Sequence, residues 1–369
     1  MIQAPIIISG PTGSGKSELA HRIAGHFAGE IVNADSVQLY AEHDIGAAMP
    51  KSTYREQLPY HLFGTLSGAM PCDVQSYVHA ACGILEDVQS RGVMPVLVGG
   101  STLYLEGLLA GISRLPASKP ELRKELEREE VEELHKRLET LDPERAEALH
   151  PNDRIRIIRA LEVCLVSGKS YSELCKQEAR IQHCRNATVI VPVWSRSDLY
   201  RRIEKRSQRM VANGIIEEAR YLFGCYGSQW QCQTALGYKQ VFERLISRHS
   251  VSEEAHREIV REISQATRRY AKRQMTYWRN APQKFEWNIS PSIEEHRQEQ
   301  VQILAEDSGI RGAAGERRKG FHVWRWSSDE LIEALEKRWN SSQIGAKDSG
   351  ALEAEGHVVW FVHAGALEL

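Results

Sequence analysis

Residues 10–17 read Gly10-Pro11-Thr12-Gly13-Ser14-Gly15-Lys16-Ser17, and this G-x-x-x-x-G-K-S spacing constrains the chain more than any other feature. It follows the apolar run Ile6-Ile7-Ile8 directly and precedes the helical stretch from Glu18 to Ala24. A strand, a glycine-rich turn and a helix in that order make backbone N–H groups converge on phosphate oxygens, with the positive end of the helix behind them. Lys16 is expected to bridge phosphates and the Ser17 hydroxyl to ligate Mg²⁺. A polyphosphate site at the carboxyl end of a buried strand is the expectation.

Strand and helix patterns continue to alternate over the first 110 residues. Glu30-Ile31-Val32 reads as a second strand, and Pro95-Val96-Leu97-Val98 as a third that follows an amphipathic stretch at 76–90. Such alternation predicts a parallel sheet covered on both faces. From 115 to about 185 the pattern is helical and charged, punctuated by Pro116, Pro120, Pro143 and Pro151. Strand character returns at 187–194, and helical patterns follow at 198–222 and 252–280. The predicted fold is α/β, a P-loop, nucleotide-kinase-like parallel-sheet core with an inserted helical domain. Its parts are 1–114 and 186–290 for the core, 115–185 for the insertion, and 291–369 for a partly ordered C-terminal extension. In that extension Ser327 and Glu330 suggest a capping box for a helix to Trp339, and the remainder shows no period.

Composition narrows the class. With 369 residues and 42% hydrophobic content the chain is not expected to be disordered. No apolar run approaches the roughly 18–20 residues of a membrane span, and the start, MIQAPIIISG, shows no export leader. Seven scattered cysteines without zinc spacing read as reduced thiols in a cytoplasmic protein.

P-loop NTPases usually end a second apolar strand in an acid that holds Mg²⁺ and helps to position water. Here the candidate strand ends in Gly99-Gly100, and no Asn-Lys-x-Asp element is present for a guanine base. That pattern favours chemistry in which diphosphate is a leaving group rather than a fuel. The second strand runs into Asn33-Ala34-Asp35-Ser36-Val37-Gln38. Ligands bind beyond the carboxyl ends of parallel strands, so Asp35 is expected to face the phosphate site. A carboxylate there repels phosphate, which leaves an outer-shell contact to Mg²⁺, proton acceptance from a nucleophile, or capping of the next turn. Gln38 suits the edge of a nucleobase. Ser101 stands at a comparable strand end, where it joins the site or caps a helix.

The net charge of −2 conceals a separation of sign. Residues 121–147 are rich in Glu, whereas 196–209 and 268–279 are basic. Arg202, Arg206 and Arg209 recur at i, i+4 and i+7, a stripe that suits diphosphate or an RNA backbone. Arg156 and Arg159 share a helix face while neighbouring isoleucines point inward. The run from Arg268 to Arg279 interleaves cations with Tyr270, Tyr277 and Trp278, a composition fitted to single-stranded RNA.

Taken together, GPTGSGKS, NADSVQLY, DIGAAMPK, MPVLVGGSTLYLEGLL, HPNDRIRIIRALEV, ALGYKQ and QATRRYAKRQMTYWRN resemble the tRNA dimethylallyltransferases, in order, over about residues 4–288. The resemblance implies transfer of a dimethylallyl group from dimethylallyl diphosphate to N6 of adenosine 37 of tRNA, with Mg²⁺, by a cytoplasmic monomer. It implies that Thr12 to Ser17 and Arg206 hold the diphosphate. Asp35 would take the amine proton, and Lys16, Ser101 and Arg206 would complete the catalytic set. It implies an RNA channel lined by Asp35-Ser36-Val37-Gln38, Ser101, Ile155-Arg156-Ile157-Ile158-Arg159 and Thr234-Ala235-Leu236-Gly237-Tyr238-Lys239. Arg123 matches an arginine that touches RNA, and the insertion would grip the anticodon stem-loop. The chain departs from the pattern at Cys72-Asp73-Val74-Gln75-Ser76-Tyr77 and at Thr234, and no cysteine after Cys232 supports the zinc finger of eukaryotic relatives. A small-molecule kinase and a non-catalytic RNA binder are the rival classes.

Overall fold

Short apolar runs between turn-forming residues make the strands: β1 (Ile2–Gln3), β2 (Ile6–Ile8), β3 (Glu30–Asn33), β4 (Tyr60–His61), β5 (Pro95–Val98), β6 (Cys184–Arg185), β7 (Thr188–Val193), β8 (Val323–Trp324) and β9 (Val358–His363). The computed structural model describes residues 2–113, 115–177, 183–247, 253–284, 323–324, 328–343, 358–364 and 367. Among these, seven strands form one sheet in the order β4-β3-β5-β2-β7-β9-β8, and every neighbouring pair is parallel. β1 and β6 pair separately. Helices α1 (Lys16–His26), α2 (Ser52–Gln57), α3 (Val74–Ser90) and α4 (Thr102–Leu109) connect the first strands. Ile6, Ile8, Val96, Val98 and Ile190 pack with Leu19 and Ile23 of α1 on one face of the sheet, and Ile7, Leu97 and Val189 are buried on the other.

The chain divides into two compact units, Met1–Leu109 with His183–Leu369, and Ala110–Gln182. The second carries α5 (Pro120–Leu126), α6 (Val131–Leu141), α7 (Pro143–Ala148), α8 (Arg154–Ser167) and α9 (Tyr171–Gln177), packed around Leu134, Leu138, Ile157 and Leu161. After β7 come α10 (Arg196–Ala212), α11 (Ile215–Tyr226), α12 (Tyr238–Ser247) and α13 (Glu253–Lys284). The helical pattern at 198–222 is thus two helices, broken where Gly214 takes φ 98°.

The C-terminal part departs most from expectation. Helix α14 (Ser328–Gln343) and strand β9 belong to the core: Leu331, Leu335, Trp360 and Val362 are buried in it, and β9 pairs with β7 from Thr188↔Val358 to Val193↔His363. Val358-Val359-Trp360-Phe361-Val362 is a continuous apolar run without polar alternation, so it carries no period to read. Ser327 of the expected capping box, Trp326 and the segment 291–322 lie outside the described residues.

Strands β3, β5 and β2 are neighbours, so the loops leaving their carboxyl ends lie side by side. Gly99 N donates to Ile8 O (3.1 Å), Ala34 N to Val98 O (2.8 Å) and Ser101 N to Ala34 O (3.2 Å). A Cβ on Gly99 would fall 2.0 Å from Ala34 O, so only glycine fits there.

Candidate active site

The loop after β2 is held from several sides. Trp194, at the end of β7, donates from Nε1 to Ser14 O (2.9 Å). Arg202 Nε donates to Gly13 O (2.9 Å), with its guanidinium 4.4 Å from the Trp194 ring centroid. Lys16 folds over the loop and donates from Nζ to Gly10 O (3.1 Å) and Pro11 O (2.8 Å).

Helix α13 ties this loop to the one after β5. Thr12 N donates to Gln274 Oε1 (2.8 Å), and Gln274 Nε2 donates to Gly100 O (2.9 Å). Tyr270 OH donates to the same carbonyl (3.3 Å), and Trp278 Nε1 donates to Ser9 Oγ (3.0 Å). A Cβ on Gly100 would lie 2.4 Å from Gln274 Nε2 and would displace that amide from its carbonyl.

The third loop is tied to the second. Ser36 N donates to Ser101 Oγ (2.9 Å), so Ser101, immediately before α4, holds the Asp35 loop while its carbonyl accepts from Leu105 N. Asn33 Oδ1 accepts from Asp35 N (2.8 Å), and Asp35 Oδ1 accepts from Val37 N (3.0 Å). Asp35 therefore organises a turn, not a helix cap, while its side chain also lines the cavity. Gln38 donates from Nε2 to Ala47 O (3.1 Å) and Ala48 O (3.0 Å), which fixes that wall. Behind the wall Glu218 accepts from Ile45 N, Gly46 N and Tyr238 OH.

These loops enclose a cavity of about 490 Å³. Lys16, Ser17, Asp35, Gln38, Arg206 and Gln274 line it, and Arg202, Lys205 and Arg209 extend the basic side along α10. Burial pushes the Lys16 ammonium down to about 7, with Asp35 pulling it up and Arg206 pushing it further down. Burial also lowers the Arg206 guanidinium from its ordinary value, and Asp35 offsets part of that. Asp35 thus stands within the field of two enclosed cations whose charge an anionic ligand would compensate.

The expected site residues fall into three groups. Thr12, Gly13, Gly15, Lys16, Ser17, Asp35, Gln38 and Arg206 line one cavity. Gly10 and Pro11 serve it through carbonyls, and Ser14 is wholly buried with no hydrogen-bond partner for its Oγ among the described residues. The 234–239 run is mixed: Thr234 and Lys239 are exposed, Ala235 and Leu236 half-buried, Gly237 and Tyr238 buried.

In the insertion, Ile157 and Ile158 fill the core, while Ile155 is 71% exposed, against the expectation that the isoleucines point inward. Arg156 is exposed and pairs with Asp153 at 3.4 Å. Arg123 and Arg159 both approach the buried carboxylate of Glu162, at 3.5 and 3.8 Å.

The run at 268–279 also reads differently. Trp278 is fully buried, and Tyr270 and Tyr277 are half-buried, so its aromatic rings serve packing and the loop ties described above. Gln274 is the residue that sequence reasoning missed. It lay inside a noted segment, but its long-range partners leave no trace in local spacing.

The family model described as IPP transferase matches residues 38–281. The chain belongs to the IPP transferase family. This transferase is 40% identical to the tRNA dimethylallyltransferase of Geobacter sulfurreducens over 283 residues, 75% of this chain and 89% of that protein. It is 40% identical to the tRNA dimethylallyltransferase of Koribacter versatilis over 281 residues, covering 75% and 90%. Among solved structures it resembles the full-length tRNA isopentenylpyrophosphate transferase of Bacillus halodurans, at 30% identity and TM-score 0.53, covering 75% of this chain and 87% of that one. It also resembles a eukaryotic dimethylallyltransferase acting on tRNA, at 25% identity and TM-score 0.62, covering 75% and 70%.

Proposed function

We propose that this transferase moves a dimethylallyl group from dimethylallyl diphosphate to N6 of an adenosine beside the anticodon of tRNA and releases diphosphate. The observation that carries the reading is the cavity itself, in which a P-loop, two enclosed cations and the Asp35 carboxylate meet. An exocyclic adenine amine is a poor nucleophile, because its lone pair is delocalised into the ring. An allylic diphosphate compensates: its C1–O bond breaks early and leaves delocalised positive charge on carbon. The loop amides, Lys16 and Arg206 hold the departing diphosphate, N6 forms the bond to C1, and Asp35 takes the proton that N6 loses. The target base must leave its stack to reach this depth.

The residues present fit Mg²⁺ in a limited way. Among the described residues no group of three or more His, Cys, Asp or Glu side chains could hold a metal, so there is no protein cage. The Ser17 hydroxyl lines the cavity, and Mg²⁺ is commonly held by few protein groups together with substrate phosphates and waters. When bound through Ser17 and the diphosphate it would neutralise charge on the leaving group. A cytoplasmic monomer suits the seven free cysteines and a cavity built from one chain. No helix among the described residues is long and apolar enough to cross a membrane.

The test uses tRNA from cells lacking prenyl modification, incubated with the protein, Mg²⁺ and dimethylallyl diphosphate without ATP. Mass spectrometry of the digested nucleosides should show an adenosine heavier by one C5H8 unit. No mass change, with phosphate transfer once ATP is added, would place a kinase in this cavity instead.

A further inference from the structure

Glu218 of α11 does not line the cavity, yet its hydrogen bonds among the described residues converge behind one of the cavity's walls. Its Oε2 accepts from Ile45 N (2.8 Å). Its Oε1 accepts from Gly46 N (2.8 Å) and from Tyr238 OH (2.7 Å). Burial, with the Glu218 carboxylate beside it, raises the Tyr238 phenol well above its ordinary value, so it stays a donor. Gly46 lies against the Tyr238 ring: a Cβ there would fall 2.2 Å from Cζ, and the ring is fully buried. The segment that follows closes on itself, with Ala48 N donating to Ile45 O (3.0 Å) and Met49 N to Asp44 O (3.0 Å). Ala47 O and Ala48 O then hold the Gln38 amide at 3.1 and 3.0 Å. A carboxylate 172 positions from Gly46 in sequence thus reaches Gln38 through one closed turn.

We infer that Glu218 is a positioning residue for the transfer step: it sets where the 44–48 turn, and with it Gln38, stands beside Asp35. The inference rests on the tRNA reading above and deepens it. The turn's internal hydrogen bonds give it a shape, and Glu218 with Tyr238 gives it a place by holding it from outside. An amide that donates to two carbonyls at once has a fixed orientation, so a shift of the turn carries Gln38 with it. None of these hydrogen bonds of Glu218 reaches the Gly10–Ser17 loop or α10, which hold the diphosphate end. Bond formation at N6 needs the amine about 3–3.5 Å from the reacting carbon, and a displacement of about 1 Å costs about 10²-fold.

The test is a double-mutant cycle on the full chain, with Glu218→Ala, Gln38→Ala and the pair. It is read as the single-turnover transfer rate at saturating tRNA and dimethylallyl diphosphate with Mg²⁺. Dimethylallyl diphosphate affinity by calorimetry and thermal melting are followed in parallel. Glu218→Ala should slow transfer about 10–10²-fold with diphosphate affinity within about two-fold of the wild type. The pair should be no slower than the slower single variant, because Glu218 acts through Gln38. Losses that multiply in the pair, or a Gln38→Ala variant as fast as the wild type, would overturn the inference. A Glu218→Ala variant that melts lower but transfers at full rate would overturn it too, as would donor binding weakened in proportion to the rate. Should Glu218→Ala fail to fold, Glu218→Gln, which keeps one acceptor oxygen, carries the same cycle with a smaller loss. A wild type that forms no prenylated adenosine would instead overturn the tRNA reading, a result visible before any variant is made.

Discussion

The α10 stripe and the arginines of the helical insertion look alike in sequence and differ in structure. On α10, Arg206 faces Asp35 across the cavity, Lys205 and Arg209 line its exposed side, and Arg202 spends its Nε on a loop carbonyl. In the insertion, Arg123 and Arg159 converge on buried Glu162, which Ser118 Oγ also reaches. Arg154 donates to the carbonyls of Glu127 and Glu129. The first set borders a cavity, and the second is spent on contacts within the insertion. A basic residue on a helix marks a binding site when no acid has been placed to neutralise it, and the partner that decides this is often distant in sequence.

Four substitutions would break or sharpen that contrast. Lys16→Ala should lower kcat/KM about 10²–10⁴-fold by removing charge from the departing diphosphate. Its stability should stay within about 1 kcal/mol of the wild type, because the buried ammonium contributes little to the fold. Steady-state kinetics and thermal melting check both halves, and a large loss of stability would place Lys16 with the structural cations. Glu162→Ala should do the opposite. Leaving Arg123 and Arg159 without their shared carboxylate should destabilise the insertion by about 2–4 kcal/mol while diphosphate binding persists. Denaturant melts paired with calorimetry read this.

Gln274→Ala lies between the two. It leaves Thr12 N without its partner and Gly100 O with the Tyr270 hydroxyl alone, so the Gly10–Ser17 loop and the Ser101–Asp35 side lose their common brace. A fall of about 10–10²-fold in kcat, larger than the change in RNA affinity, is expected. The smallest effect concerns Glu30, which Arg91 holds down to about 2, with His61 assisting against the cost of burial. A carboxylate with a depressed folded pKa adds stability above its unfolded value and loses it as pH falls through the folded one. The contribution should fade from about pH 4.5 to about 2, on the order of 1–2 kcal/mol. Glu30→Gln should flatten that part of the acid-unfolding curve.

Much of the core was legible because its signals are local. The Gly10–Ser17 loop lies between a β-branched run and a helix, and Asp35 and Ser101 stand at strand ends that a parallel sheet must align. What sequence could not show depends on tertiary partners. Gln274 braces Thr12 across 262 positions of sequence. Trp278 and Tyr277 resemble a stacking platform, but the face of α13 that carries Trp278 turns to the core. Strand β9 is a continuous apolar run with no polar alternation to mark it. Ile155 and Ile157, two positions apart on α8, differ completely in exposure because a helix turns about 100° per residue and does not alternate.

The most direct test of the central claim is a single-turnover measurement on Asp35→Ala bound in advance to saturating tRNA and dimethylallyl diphosphate. Asp35 as the acceptor of the N6 proton predicts a transfer step slower by about 10²–10⁴-fold with RNA affinity nearly unchanged. Collapse of RNA binding, with the residual complex transferring at the wild-type rate, would contradict it and make Asp35 a structural residue of the turn it closes onto Val37.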